Sequence, residues 1–244
     1  MDWHNSSIIP DWPASKNVRA LQTTRSGGVS VAPYASFNLG DHVGDAPQAV
    51  AQNRQLLASL MPSEPVWLQQ VHGTVVADAC GAGCLPQADA AVARHRGAVC
   101  VVMTADCLPV LLCDEAGTVV AAAHAGWKGL AAGVIEATVQ AMNVEPQKLL
   151  VWLGPAISQR AFEVGDDVKA LFVAQNPQAS TAFVPGAKGK WMADLYWLAQ
   201  QRLQALGVSR IYGGEYCTHS DPARFFSYRR DGVTGRMGTF IWLE

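Results

Sequence analysis

Residues 104–127 read TADCLPVLLCDEAGTVVAAAHAGW. Two apolar runs flank the polar turn Asp114–Gly117, the pattern of a β-hairpin. One run begins beside Cys107 and the other ends at His124. Pairing Asp114 with Gly117 sets a register in which Cys107 stands directly opposite His124, on one side of the sheet. Directly opposed residues hold their Cβ atoms about 4.5–5.5 Å apart. That spacing suits a Cys–His pair or two ligands of one metal. A bulge would move the register by one residue.

Outward from the hairpin, further strands are predicted at Val18–Thr24, Val66–His72, Ala98–Thr104, Leu149–Leu153, Arg210–Gly213, Phe225–Tyr228 and Arg236–Leu243. Helices are predicted between them. One begins at Asp45 as N-cap, with Pro47 in its first turn, and runs to about Leu60. A second is GLAAGVIEATVQAM, with Leu130, Val134, Thr138 and Met142 at i+4 spacing. A third covers Asp166–Gln175, and the fourth is MADLYWLAQQRLQAL, closed by Gly207. Strands and helices do not alternate one for one, so a simple doubly wound sheet is disfavoured. The class expected is α/β (α+β), with helices covering mixed sheets. No repeat or linker interrupts the chain, so residues 1–244 are expected to form one domain.

Composition bounds the function. The 244 residues can bury a sizeable core. Only 16% are charged, against a usual share near 25%, which argues against disorder. The formal net charge is −2 and the longest basic run is Arg229–Arg230. No basic surface is on offer for a nucleic acid polymer; a nucleoside or small phosphate needs far less. No uncharged apolar run approaches the roughly 20 residues of a membrane span. The opening MDWHNSSIIPDWP lacks the features of a secretory signal, so a cytoplasmic location is expected. There, the six cysteines are expected to be free, metal-bound or catalytic. Cys100 and Cys113 read as core residues. Cys80 and Cys84, with no second pair, give a weak zinc pattern.

A third residue bears on the hairpin. WLQQVHG ends in His72 and breaks at Gly73. His72, Cys107 and His124 make a plausible ligand set for a catalytic zinc, leaving one position open. Copper accepts the same ligands. The metal-free alternative makes Cys107 a nucleophile with His124 as base. The residues alone leave both readings standing. Past His124, HAGWKG turns into a helix, with Lys128 as a charge near its start.

TTRSGGVSVAPYASFNLGDHVGD, QQVHG, MTADCLPVLL, HAGWKG, GPAI, FEVG and FFSYRRDGVTGRMGTFIWL follow one another in this order. In this the chain resembles the YfiH-type family, also called the laccase-domain or polyphenol-oxidase-like family and described as purine nucleoside phosphorylases. The resemblance runs from about Val18 to Leu243 and rests on several motifs together. It implies a four-layer αββα sandwich, related to the catalytic domain of cytotoxic necrotizing factor. It also implies zinc, or copper, held by His72, Cys107 and His124. The activities implied are phosphorolysis of adenosine, inosine, guanosine and methylthioadenosine, and deamination of adenosine. Editing of L-serine-containing peptidoglycan precursors and polyphenol oxidation are the other activities attached to the family. Lys128 stands where many relatives have arginine, which exchanges a bidentate fork for a point charge.

Deamination suits zinc, which activates water for attack on a purine ring; Asp106 or Glu163 could move the proton. Phosphorolysis needs cations for phosphate, and Arg25, Arg54, Lys128, Arg229 and Arg230 are the candidates. Asn38 joins Arg25, Arg54, Lys128 and Arg229 as a substrate-binding candidate. Trp127, Phe226 and Tyr228 could stack on a purine. A multicopper oxidase needs many histidine ligands, and six histidines in total fit it poorly. The rival class is a cysteine amidohydrolase with Cys107 as nucleophile. No obligate protein partner is inferred.

Overall fold

The computed structural model describes residues 7–79 and 85–244. The hairpin lies at its centre. Strands β6 (Leu108–Asp114) and β7 (Val120–Ala125) occupy the middle of a six-stranded sheet. Its order is β12 (Arg210–Gly213), β8 (Leu149–Leu153), β6, β7, β4 (Ala90–Ala93), β3 (Val76–Asp78). The β12–β8 and β3–β4 pairs are parallel and the others antiparallel, so the sheet is mixed. A second, antiparallel sheet runs β1 (Ser7–Ile8), β2 (Val18–Thr23), β13 (Met237–Leu243), β5 (Val99–Thr104). A small third sheet joins β10 (Phe183–Pro185), β11 (Lys190–Ala193) and β9 (Glu163–Gly165).

The two large sheets pack face to face. Cys100, Val102 and Ile241 from one meet Leu111, Cys113, Val120, Ala122 and Trp152 from the other. The outer face of the six-stranded sheet presents Val110, Leu112, Ala121 and Ala123. These share one apolar cluster with Leu130 of α2 (Trp127–Ala132), Ile135 and Val139 of α3 (Val134–Met142), Val168 of α4 (Asp166–Gln175) and Leu198 of α5 (Leu195–Ala205). On the far side, Val101, Met103 and Phe240 meet Leu57 of α1 (Pro47–Ala58) together with Phe37 and Leu39. The layers are therefore helix, sheet, sheet, helix, as expected. Alternate residues of each central strand enter two different apolar layers. That is why these strands read as unbroken apolar runs. No helix of the described residues is long and apolar enough to cross a membrane.

Several elements differ from the sequence reading. Helix α1 begins at Pro47 with Ala46 as N-cap; the Asp45 carboxylate instead accepts from Ser30 and Asn38 through one oxygen and from Ala46 N through the other. The second helix is two helices, broken at Gly133, whose φ is 102°. The first residues of the fourth belong to β11, and Asp194 caps the helix, accepting from Trp197 N. Gly207, with φ 93°, closes it as expected. Val66–His72 is not a strand; it touches its neighbours through isolated bridges at Val66 and Gln69. Phe225–Tyr228 is not a strand either. Phe225 and Phe226 are buried, and Ser227 caps the short helix α6 (Tyr228–Asp231). Strands β3, β4, β9, β10 and β11 are too short or too Ala-rich to stand out in the sequence. Cys100 and Cys113 are core residues, their thiols pushed up by burial, Cys113 to about 12. Cys80 and Cys84 lie outside the described residues.

Candidate metal centre and cleft

The hairpin register is not the one expected. Cys113 pairs with Val120, Pro109 with His124 and Leu108 with Ala125. The loop is longer because the Asp114 carboxylate accepts from Thr118 N, Val119 N and Thr118 Oγ1, at 2.6, 2.9 and 2.7 Å. This wraps the chain around Asp114 and moves every pair by two residues. A slip of two preserves side-chain parity. Cys107 therefore stays on the side of the sheet that His124 faces, as its diagonal neighbour. The position across from Cys107 falls to Gly126, where the chain leaves β7. A Cβ on Gly126 would lie 2.8 Å from Cys107 Sγ and 2.9 Å from His72 Cδ2. The missing side chain is the space that Cys107 and His72 occupy.

His72 arrives from the irregular segment between Val66 and β3, with φ at 61°. Gln70 anchors that segment to the end of β5. Its amide donates to Met103 O and accepts from Met103 N, at 2.8 and 2.7 Å. The ligand atoms of His72, Cys107 and His124 lie within 4.8 Å of one another. Cys107 Sγ is 3.8 Å from His72 Nε2. Two ligand atoms of a tetrahedral zinc, at bonds of about 2.0–2.3 Å, stand roughly 3.3–3.8 Å apart. The donor set suits such an ion and the Cys107–His72 separation lies at the top of that range, with His124 buried, Cys107 partly so and His72 open to solvent.

Behind this group sits Asp89, fully buried just before β4. Its Oδ1 is 2.9 Å from His124 Nδ1 and accepts from His72 N at 2.8 Å; Oδ2 accepts from Gly73 N and Val71 N at 2.6 and 3.2 Å. Burial alone would raise this carboxyl, but the His124 ring and the backbone donors outweigh it and hold it low. Burial likewise works against the Cys107 thiolate. The imidazoles of His124 and His72 reverse that and bring the thiol down to about 6. His124 moves the other way, up to about 9, because Cys107 and Asp89 together overcome its burial. The two shifts push Cys107 toward the thiolate and His124 toward the imidazolium.

The group opens into a cleft of about 330 Å³. Trp127, Lys128, Tyr228 and Arg229 line it together with the apolar Ile157 and Phe162. Lys128 and Trp127 begin α2 directly after Gly126. Arg229 is fixed twice: its N–H donates to Asp106 Oδ2 at 2.6 Å and its Nη1 to Glu163 O at 2.9 Å. A larger groove of about 620 Å³ runs past Trp12, Arg19 and Trp242 and includes none of the ligand group.

The family model described as "Multi-copper polyphenol oxidoreductase laccase" matches residues 19–244. The chain belongs to this family. A Pseudomonas aeruginosa relative named a purine nucleoside phosphorylase is 55% identical over 241 residues, 98% of this chain and 99% of the relative. The Escherichia coli purine nucleoside phosphorylase YfiH is 54% identical over 239 residues, 97% and 98% of the two chains. A crystal structure of a Neisseria meningitidis protein superposes with a TM-score of 0.95 at 52% identity, covering 98% of this chain and 99% of the other.

In this laccase-family chain the remaining candidates take other positions. Arg25 donates to Ala35 O and Pro222 O and lies over Phe226. Arg54 donates to Leu39 O and stacks on Trp67 at 3.9 Å. Asn38 is buried, joining Gly40, Asp45 and Arg236 N. None of the three lines the cleft; each ties loops together. Arg230 binds the carbonyls of Thr218, His219 and Phe225. Phe226 is fully buried, whereas Trp127 and Tyr228 reach the cleft. Asp106 lines it too, but both its carboxylate oxygens are engaged, one by Thr218 Oγ1 at 2.6 Å and the other by Arg229 N. Glu163 is exposed and outside the lining.

Two residues near the site escaped the sequence reading. Asp89 left one signal, a lone acid directly before the apolar run AAVA. Arg236 left none. It donates to Thr234 O and Gly235 O, and its guanidinium is 5.9 Å from the Tyr228 ring. Among the described residues, His72, Cys107 and His124 form the one His/Cys/Asp/Glu group with metal-binding spacing.

Proposed function

We propose that the chain is a zinc-dependent purine nucleoside phosphorylase, acting on adenosine, inosine, guanosine and methylthioadenosine, with adenosine deamination as a second activity. The observation that carries this reading is the composition of one cleft. It joins His72 and Cys107 of the His–Cys–His group to two cations, Lys128 and Arg229, and to two aromatic rings, Trp127 and Tyr228. Its volume lies at the small end of the range for ligand sites, which suits a nucleoside. The names of the relatives support the same reading.

In phosphorolysis a phosphate oxygen bonds to C1′ of the ribose. The glycosidic C–N bond breaks, and the purine leaves with the electron pair and takes up a proton. Lys128 and Arg229 hold the phosphate. Asp106 and Glu163 act indirectly, by fixing the Arg229 backbone and guanidinium. Trp127 and Tyr228 offer ring faces to the base, while Ile157 and Phe162 keep that side dry. His72, Cys107 and His124 would hold the zinc, which would supply a Lewis acid. Copper suits the same donors, and one ligand group falls short of a multicopper oxidase. The partners in this reading are a small nucleoside and phosphate, in the cytoplasm.

A second reading has its own observation. Asp89, His124 and Cys107 stand in the order of an acid–imidazole–nucleophile triad, with Asp89 on Nδ1. It favours a cysteine amidohydrolase acting on L-Ser-containing muramyl-peptide precursors. One experiment separates the two. Purified protein, its metal content measured, is incubated with inosine with and without phosphate, beside Cys107→Ser. Phosphorolysis requires hypoxanthine release that depends on phosphate, and Cys107→Ser should lose zinc and activity together. Absent or phosphate-independent release counts against it. Full zinc occupancy in an inactive Cys107→Ser favours the nucleophile.

A further inference from the structure

Four donors converge on the Asp89 carboxylate, and all belong to the two histidine ligands or their immediate neighbours. His124 approaches through its ring; Val71, His72 and Gly73 approach through consecutive backbone N–H groups. The Asp89 carbonyl also accepts from His124 N at 2.7 Å. We infer that Asp89 is the positioning residue that sets both imidazoles of the ligand group. This rests on the metal reading above for its consequence, though not for its geometry.

The argument is one of valence. An ionised carboxylate only accepts, so the proton between it and His124 sits on Nδ1. Nε2 is then left to face Cys107 and His72. The ring of His72 is set differently. Its backbone is held at φ 61°, a conformation a non-glycine residue adopts at a cost. Three successive N–H groups pointing at one anion stabilise that turn. Both carboxylate oxygens are needed, since each takes two donors. Asparagine of the same size has one acceptor oxygen and an amide that donates. Wherever that amide is turned, it faces a donor of His124 or of the His72 loop.

The test compares wild type with Asp89→Asn. Zinc affinity is measured by competition with a chromogenic chelator, on protein shown by circular dichroism to be folded. A loss of about 10–100-fold is expected, the usual effect of removing an outer partner of a ligating histidine. A folded Asp89→Asn within about twofold of wild type would overturn the inference. A purely structural Asp89 would lower thermal stability and leave that affinity alone. Proton NMR of the metal-free wild type gives an independent readout, a low-field, exchange-protected Nδ1–H on His124. Its absence from wild type would overturn the inference even if Asp89→Asn did not fold. If wild type bound no zinc, the zinc reading would fail, while the Nδ1–H measurement would still decide the role of Asp89.

Discussion

Cys107 stands between two imidazoles, and its ionisation follows from that position. Burial opposes the thiolate, but the neighbouring rings dominate and lower the thiol to about 6. A lowered thiol keeps its charge as pH falls below the ordinary thiol range. A raised imidazole, as at His124, keeps its proton above the ordinary imidazole range. In the metal-free protein both charges are therefore expected near neutral pH. Thiolate absorbance at 240 nm should persist at pH 7.5 and disappear on acidification through about 6. His124→Ala removes the larger of the two imidazole contributions and leaves that of His72, so the same absorbance should emerge at a higher pH than in wild type. An unchanged titration would mean that His124 does not control Cys107. The Cys–His pairing was legible in the sequence. Asp89 was not, because a buried acid and a solvated one are written with the same letter.

At the scale of elements, the hairpin and the second helix show how far local patterns reach. Both strands of the hairpin were legible, yet its register was not. The extra loop length comes from three hydrogen bonds to the Asp114 side chain, which no turn rule for the segment DEAG supplies. The helix pattern ran unbroken through Gly133, since Leu130, Val134, Thr138 and Met142 all face the same layer and are all buried. The break preserves that stripe and reorients only the backbone. A Cβ at Gly133 would meet Glu136 Oε2 at 3.5 Å, an ordinary contact, so strain rather than space decides the effect of a substitution. Gly133→Ala should cost about 1–2 kcal/mol from the left-handed backbone. Urea unfolding would report that loss. A variant as stable as wild type would show that the helices can merge without penalty.

The molecule as a whole depends on the layer between its two large sheets. Leu111 is fully buried there, among side chains from both. Leu111→Ala leaves a cavity that two rigid sheets cannot close, and a loss of about 2–5 kcal/mol is expected. The urea midpoint measures it. A loss under about 1 kcal/mol would mean that the sheets can approach one another. The same layer ends at the ligand group, since His124 follows Val120 and Ala122 on the inward side of β7. The site is thus a polar rim on an apolar sandwich. Its open side is finished by α2, α6 and the His72 segment.

By itself the sequence determined the class of fold, the central hairpin and the three members of the His–Cys–His group, because each is written in contiguous residues or short motifs. Parity along a strand depends only on counting, so the common side of Cys107 and His124 survived an incorrect register. Tertiary structure alone decided which cations reach the cleft. Lys128 and Arg229 line it, while Arg25 and Arg54 spend their guanidinium groups on loop carbonyls. The physical reason is that a guanidinium satisfies a carbonyl or a ligand equally well. Which it meets depends on segments remote in the chain, as Arg25 and Pro222 are. Asp89 belongs with these, its role set by the folding of the His72 segment and β7 around one buried carboxylate.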